Sequence, residues 1–191
     1  KRPKKPVNIG VTMKPPRIEF KSVSFAYPGS EKIVLKNVNF VIKPGENLAI
    51  VGRNGAGKTT IVKLLCRFYD VTSGEILVNG VNLKKVDLGQ WYKFIGTLFQ
   101  EFVHYDFTVK ENIMLGNAEV KDEKLMREAA EKSGASEFIE KLPKKYNQLL
   151  GRQFEGGVEL SQGQWQKLAI ARAVYGGTPV LILYGPPWEI D

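Results

Sequence analysis

Gly52-Arg53-Asn54-Gly55-Ala56-Gly57-Lys58-Thr59 constrains this chain more than any other stretch. It satisfies G-x-x-x-x-G-K-[ST] at every fixed position, a pattern that works only between an apolar strand and the start of a helix. The glycines let the backbone curl so that successive N–H groups point inward at phosphate oxygens. The helix N-terminus adds a partial positive charge at the same place. The flanks fit. Residues 47–51 read as a short apolar strand, and residues 59–69 have helical spacing with Ile61, Leu64, Leu65 and Phe68 on one side. The predicted nucleotide ligands are Gly52, Asn54, Gly55, Ala56, Gly57, Lys58, Thr59 and Thr60, with Lys58 reaching the β- and γ-phosphates and the Thr59 hydroxyl ligating Mg²⁺. A glycine-rich turn with a surface lysine would not carry the flanking strand and helix.

The rest of the chain is predicted to alternate in the same way. Residues 18–27 alternate apolar and polar, and residues 33–42 supply a second strand after the Pro28-Gly29-Ser30 turn. Residues 75–78 and 81–83 flank Asn79-Gly80, the dipeptide best suited to a two-residue hairpin. Residues 94–99 form a short apolar strand, residues 161–175 a helix and residues 180–183 a buried strand. From residue 108 to residue 150 the composition shifts to Glu, Lys, Ala and Leu, with the clearest helix at 123–132, which reads as a helical insertion over about 101–160. The order of strands and helices predicts an open α/β sheet with right-handed crossovers.

Composition narrows the classes. At 191 residues, 43% hydrophobic and 25% charged, the chain is long enough and apolar enough to bury a core. No apolar run approaches the ~18–20 residues of a membrane helix. Cys66 and His104 are each the only residue of their type, so no internal disulfide and no Cys- or His-rich metal site is expected. The net charge is +8, but Lys1, Arg2, Lys4, Lys5, Lys14 and Arg17 place +6 of it in residues 1–17, a Pro-rich stretch without an acid. That stretch reads as an extended linker, residues 18–191 as the domain, and the whole as a piece of a longer polypeptide.

Leu160-Ser161-Gln162-Gly163-Gln164, followed by Trp165-Gln166-Lys167-Leu168-Ala169-Ile170-Ala171-Arg172-Ala173, opens with an S-x-x-Q capping box. Together with the loop at 52–59, it resembles the nucleotide-binding domain of ABC transporters, whose signature is L-S-G-G-Q. The resemblance covers about residues 17–191. It implies an α/β fold, a P-loop NTPase of ABC type with a mixed or parallel core sheet, an N-terminal antiparallel β subdomain and a helical insertion. It implies ATP and Mg²⁺ as cofactors. It also implies a second ABC ATP-binding domain, identical or different, arranged head to tail so that residues 160–164 face the nucleotide of the opposing subunit. A transmembrane domain, expected in the same polypeptide, would place the chain on the cytoplasmic face of a membrane. Tyr27 stands where the family stacks an aromatic on adenine, although a tyrosine at a strand end can simply be packed there. Gln100 matches the glutamine that touches Mg²⁺ or the attacking water. Thr108-Val109-Lys110-Glu111-Asn112-Ile113 and Glu155-Gly156-Gly157-Val158-Glu159-Leu160 look like exporter segments. On this reading the basic linker lies beside anionic lipid, and no direct nucleic-acid role is expected.

The chain departs from its family at three places. Gln162 replaces the first glycine of the signature. The strand at 180–183 leads to Tyr184-Gly185-Pro186 where the family has Asp-Glu-Pro, so Tyr184 stands at the Mg²⁺-organising carboxylate and Gly185 at the general base. The sequence stops before the position expected for the family's switch histidine, and His104 lies far too early to replace it. The chain as written is therefore expected to bind ATP-Mg²⁺ better than it hydrolyses it. A degenerate site beside a competent partner, a sequence error confined to 184–188, and a deliberate alteration are all compatible with these residues. Two other functions stay open on sequence: a soluble ABC-type ATPase acting on nucleic acid or ribosomes, and a nucleotide-sensing module without catalysis.

Overall fold

The computed structural model of the chain describes Val7, residues 14–99 and residues 102–184. It divides into two compact units, Lys1–Ile95 and Gly96–Asp191.

The first unit is built on an antiparallel sheet of order β2-β1-β3-β4. β1 (Ile18–Ala26) and β2 (Ile33–Ile42) lie as the alternating pattern predicts. Ile18, Phe20, Val23 and Phe25 of β1 are all buried, and Phe20 stacks on Phe40 with centroids 4.3 Å apart. β3 (Ser73–Val78) and β4 (Val81–Asn82) form the hairpin. Its turn residues Asn79 and Gly80 take φ of 49° and 81°, the paired positive values that an Asn-Gly two-residue turn requires.

Helix α1 (Lys58–Leu65) is shorter than its apolar spacing predicts, and Phe68 is 54% exposed instead of joining the buried side. The cause lies outside the helix. Arg67 takes a φ of 55° and turns its guanidinium inward, where Nη1 donates to the Val86 carbonyl and Nη2 to the Lys84 carbonyl, each at 2.8 Å. Trp91 Nε1 donates to the Leu65 carbonyl at 2.8 Å, satisfying an acceptor that the ending helix leaves free. Trp91 belongs to α2 (Leu88–Phe94), a helix the periodicity does not announce and the Asp87 cap could have.

The strand expected at 47–51 is absent. The segment is irregular, has no ladder partner among the described residues, and leaves Leu48, Ile50 and Val51 at 45%, 39% and 89% exposure. An apolar run becomes a strand only when a neighbour pairs with its N–H and C=O groups, and periodicity cannot supply that neighbour.

In the second unit, β5 (Ile95–Leu98, beginning at the boundary residue) pairs with β6 (Val180–Leu183) in a two-stranded parallel sheet, continued by the Tyr184 N–H donating to the Leu98 carbonyl at 2.8 Å. Between them lie α3 (Val109–Met114), α4 (Glu123–Lys132), α5 (Ser136–Ile139) and α6 (Gln162–Tyr175). Their shared core includes Ile113, Met126, Ile139, Leu150, Trp165, Leu168 and Tyr175. The helix predicted at 123–132 is α4, and that at 161–175 is α6 with Ser161 as its cap. No described helix is long and apolar enough to cross a membrane.

Candidate functional site

The loop at 52–57 leads into α1 with backbone geometry that few residues besides glycine tolerate. Gly55 has φ 83°, and Gly57, the N-cap of α1, has φ 93°. A Cβ at Gly57 would also lie 2.6 Å from Leu35 Cδ2, so conformation and space both demand glycine there. The Ala56 N–H donates to the Arg53 carbonyl at 3.1 Å, and residues 52–56 are exposed.

The start of α1 combines two absences that no other described α-helix start shares, since α5 is also uncapped but carries Glu137 in its first turn. α2, α3, α4 and α6 are each capped by a side chain, respectively Asp87, Thr108, Asp122 and Ser161. α1 has no side-chain cap and no acid in its first turn. The positive end of its dipole therefore meets no side-chain acceptor or acid at the N-cap or in the first turn, which suits an anion enclosed by the loop. Lys58 Nζ lies over this cradle, donating to the carbonyls of Gly52 at 2.6 Å and Arg53 at 3.0 Å. An ammonium that donates to exposed loop carbonyls can exchange them for phosphate oxygens.

Thr59 is half-buried and Thr60 is 3% exposed. The Thr60 hydroxyl shares a hydrogen bond of 3.0 Å with the Tyr27 hydroxyl. Tyr27, half-buried, meets Phe25 and Tyr69 edge-on at centroid distances of 5.0 and 5.2 Å, and Lys63 Nζ lies 5.6 Å from its ring centre. The ring predicted to stack on adenine is thus fixed against α1, in the same unit as the phosphate loop.

In the second unit, Ser161 caps α6 through a complete capping box: its N–H donates to Gln164 Oε1 at 2.9 Å, and the Gln164 N–H to Ser161 Oγ at 3.3 Å. Leu160 is buried at 5%, whereas Ser161, Gln162 and Gly163 are exposed, and a Cβ at Gly163 would meet nothing within 4 Å. Gln162 therefore costs the turn no packing. Tyr184, half-buried, stands just past the end of β6. Gln100 and Gly185, predicted as catalytic positions, lie outside the described residues.

Sequence reasoning misses one constellation. Asn112, 0% exposed, donates through Nδ2 to the carbonyls of Tyr105 at 2.9 Å and Thr108 at 3.1 Å. Arg172 on α6 closes it, with Nε on the Asn112 carbonyl at 2.9 Å, Nη2 on Asn112 Oδ1 at 2.8 Å and the guanidinium 4.6 Å from the Tyr105 ring. Both residues stand inside segments quoted for their resemblance, but nothing in their spacing pairs them. Burial lowers the Arg172 pKa, and these acceptors and the aromatic face replace part of its lost hydration.

A glycine-rich anion cradle at a bare helix start, an adjoining fixed aromatic and a capped L-S-x-G-Q turn define a P-loop nucleotide-binding domain of ABC type. The family model described as ABC transporter matches residues 35–186, and the chain belongs to that family. It is 43% identical over 173 residues to a Staphylococcus aureus (strain NCTC 8325 / PS 47) protein named for multidrug export as an ATP-binding/permease protein, a match covering 91% of this chain and 29% of that one. It is 42% identical over 166 residues to the ATP-dependent lipid A-core flippase of Coxiella burnetii, covering 87% of this chain and 28% of the flippase. Among solved structures, a bacterial Atm1-family ABC exporter with ATP bound superposes with a TM-score of 0.78 at 31% identity, covering 94% of this chain and 31% of the exporter. The chain thus spans under a third of the length of each.

Proposed function

We propose that this chain is the ATP-binding part of an exporter, and that ATP-driven association of two such domains drives transport by attached membrane segments. The observation that carries the reading is the start of α1, which has no side-chain cap and no acid in its first turn and follows a loop held by glycines at positive φ. That donor set fits a polyphosphate. Lys58 would exchange its loop carbonyls for phosphate oxygens, Tyr27 would carry the adenine, and Thr59 with Gln100 would complete the shell of Mg²⁺, which supplies charge neutralisation at the phosphates. Residues 160–164 would meet the nucleotide of a second ATP-binding domain. The relatives named as export proteins and flippase support export and a cytoplasmic membrane-face location.

Hydrolysis by this chain is expected to be weak. Tyr184 and Gly185 offer no carboxylate where the family places its metal-organising acid and general base, and one general base contributes about 10²–10⁴ in rate. ATP turnover with Tyr184→Asp and Gly185→Glu introduced together should rise by at least about tenfold over the parent. An unchanged rate would show that these two positions do not limit the reaction.

A further inference from the structure

The signature turn carries a brace that its cap does not require. Trp165, the first residue after Gln164, is 2% exposed, and its Nε1 donates to Glu159 Oε1 at 3.1 Å. That bond spans residues 160–164, tying together the two residues that flank the signature. The His104 imidazole lies flat on the same indole, with centroids 4.3 Å apart and planes 3° from parallel, and Phe102 lies 5.5 Å from the imidazole. Seven residues further along α6, two turns on and on the same side, Arg172 Nη1 donates to the carbonyl of Val103, the neighbour of His104, at 3.3 Å. The roof over the indole is therefore anchored to the same helix at a second point.

A helix start needs only its cap, and Ser161 and Gln164 already provide a complete one. The residues that would touch a ligand are the ones without packing of their own: Ser161, Gln162 and Gly163 are exposed. The cap fixes the turn's shape, and how that turn is aimed depends on its flanks, Glu159 and Trp165. A contact group held in place before its ligand arrives loses less freedom on binding, and that is what such a brace supplies.

We propose that Trp165, Glu159 and His104 are positioning residues for the signature turn: the indole, bonded to Glu159 and covered by the imidazole, fixes the direction in which Ser161 and Gly163 meet the phosphate held by a second ATP-binding domain. This rests on the reading of residues 160–164 as contacts to an opposing nucleotide. None of the three touches nucleotide itself.

The test uses the whole chain and four variants: Glu159→Ala, Glu159→Gln, His104→Ala and His104→Phe. Glu159→Gln keeps an oxygen acceptor for the indole and His104→Phe keeps a flat ring, so each conservative variant should behave as the parent does. Three quantities are measured: binding of a fluorescent ATP analogue to the unassociated chain, self-association with ATP-Mg²⁺ by sedimentation, and amide hydrogen exchange along α6. The two alanine variants should bind the analogue as the parent does, associate about 3–10-fold more weakly, and exchange the amides of residues 163–165 about tenfold faster, with those beyond Arg172 unchanged. Parental exchange at 163–165 in both alanine variants overturns the proposal. So does faster exchange with parental association, or exchange accelerated along all of α6, which marks a merely structural role. A parent that binds ATP but does not associate with itself defeats the reading of 160–164 as contacts within an identical pair, and the proposal for such a pair with it; the exchange rates tell that outcome from a missing brace.

Discussion

Replacing Gly57 with alanine separates the two demands made on the phosphate loop. The residue has φ 93°, and a left-handed backbone costs an alanine about 1–2 kcal/mol. Its new Cβ would also lie 2.6 Å from Cδ2 of Leu35, a β2 residue only 4% exposed and therefore unable to swing into water. Overpacking of this kind costs about 1–3 kcal/mol, which brings the total to about 2–5 kcal/mol. That is a large share of the ~5–15 kcal/mol by which a domain is stable. Gly55 is the internal control: its φ is 83°, but a Cβ there meets nothing within 4 Å, so Gly55→Ala carries the backbone cost alone. Urea unfolding followed by circular dichroism should rank the parent above Gly55→Ala, and Gly55→Ala above Gly57→Ala. Leu35→Ala should cost less in the Gly57→Ala background than in the parent, because the new methyl fills part of the space it vacates. Equal losses in the two glycine variants, within about 0.5 kcal/mol, and additive behaviour with Leu35→Ala would refute the packing argument.

Other consequences can be checked independently. Lys58→Ala removes an ammonium that donates to exposed loop carbonyls, so the unfolding midpoint should barely move while affinity for a fluorescent ATP analogue falls. The loss should be about 10–100-fold, as befits a charge-assisted hydrogen bond of about 1.5–3 kcal/mol. The Glu111 carboxyl is held below its usual pKa, chiefly by the Thr108 side chain in the α3 capping box and then by the Thr108 backbone. A depressed carboxyl pKa contributes stability that is present above the unfolded value and lost as pH falls through the folded one. The advantage of the parent over Glu111→Gln should therefore be full at pH 7 and vanish in strong acid, which a urea series across that range measures. Burial pushes the Cys66 thiol up to about 11, so a thiol reagent at pH 8 should label the folded chain slowly and the urea-unfolded chain fast. Rapid labelling of the folded chain would contradict its burial.

The sequence by itself determined what depends on residues close together in the chain. The loop at 52–59, the Asn79-Gly80 turn, the caps at Thr108 and Ser161 and the alternation of β1 and β2 all act within a few residues. A fixed pattern over that range is a fixed geometry, and both the fold class and the family resemblance were legible from it. Tertiary structure decided whatever needed a distant partner. Residues 47–51 read as a strand and are not one, because apolarity does not provide a ladder neighbour. Helix α1 stops early because Arg67 is drawn to the carbonyls of Lys84 and Val86. Arg172 finds Asn112 sixty positions away, and His104 comes to rest on Trp165. These contacts are directional and long-range: hydrogen bonds and flat ring faces demand exact placement, which composition and period cannot encode and only the packed chain supplies.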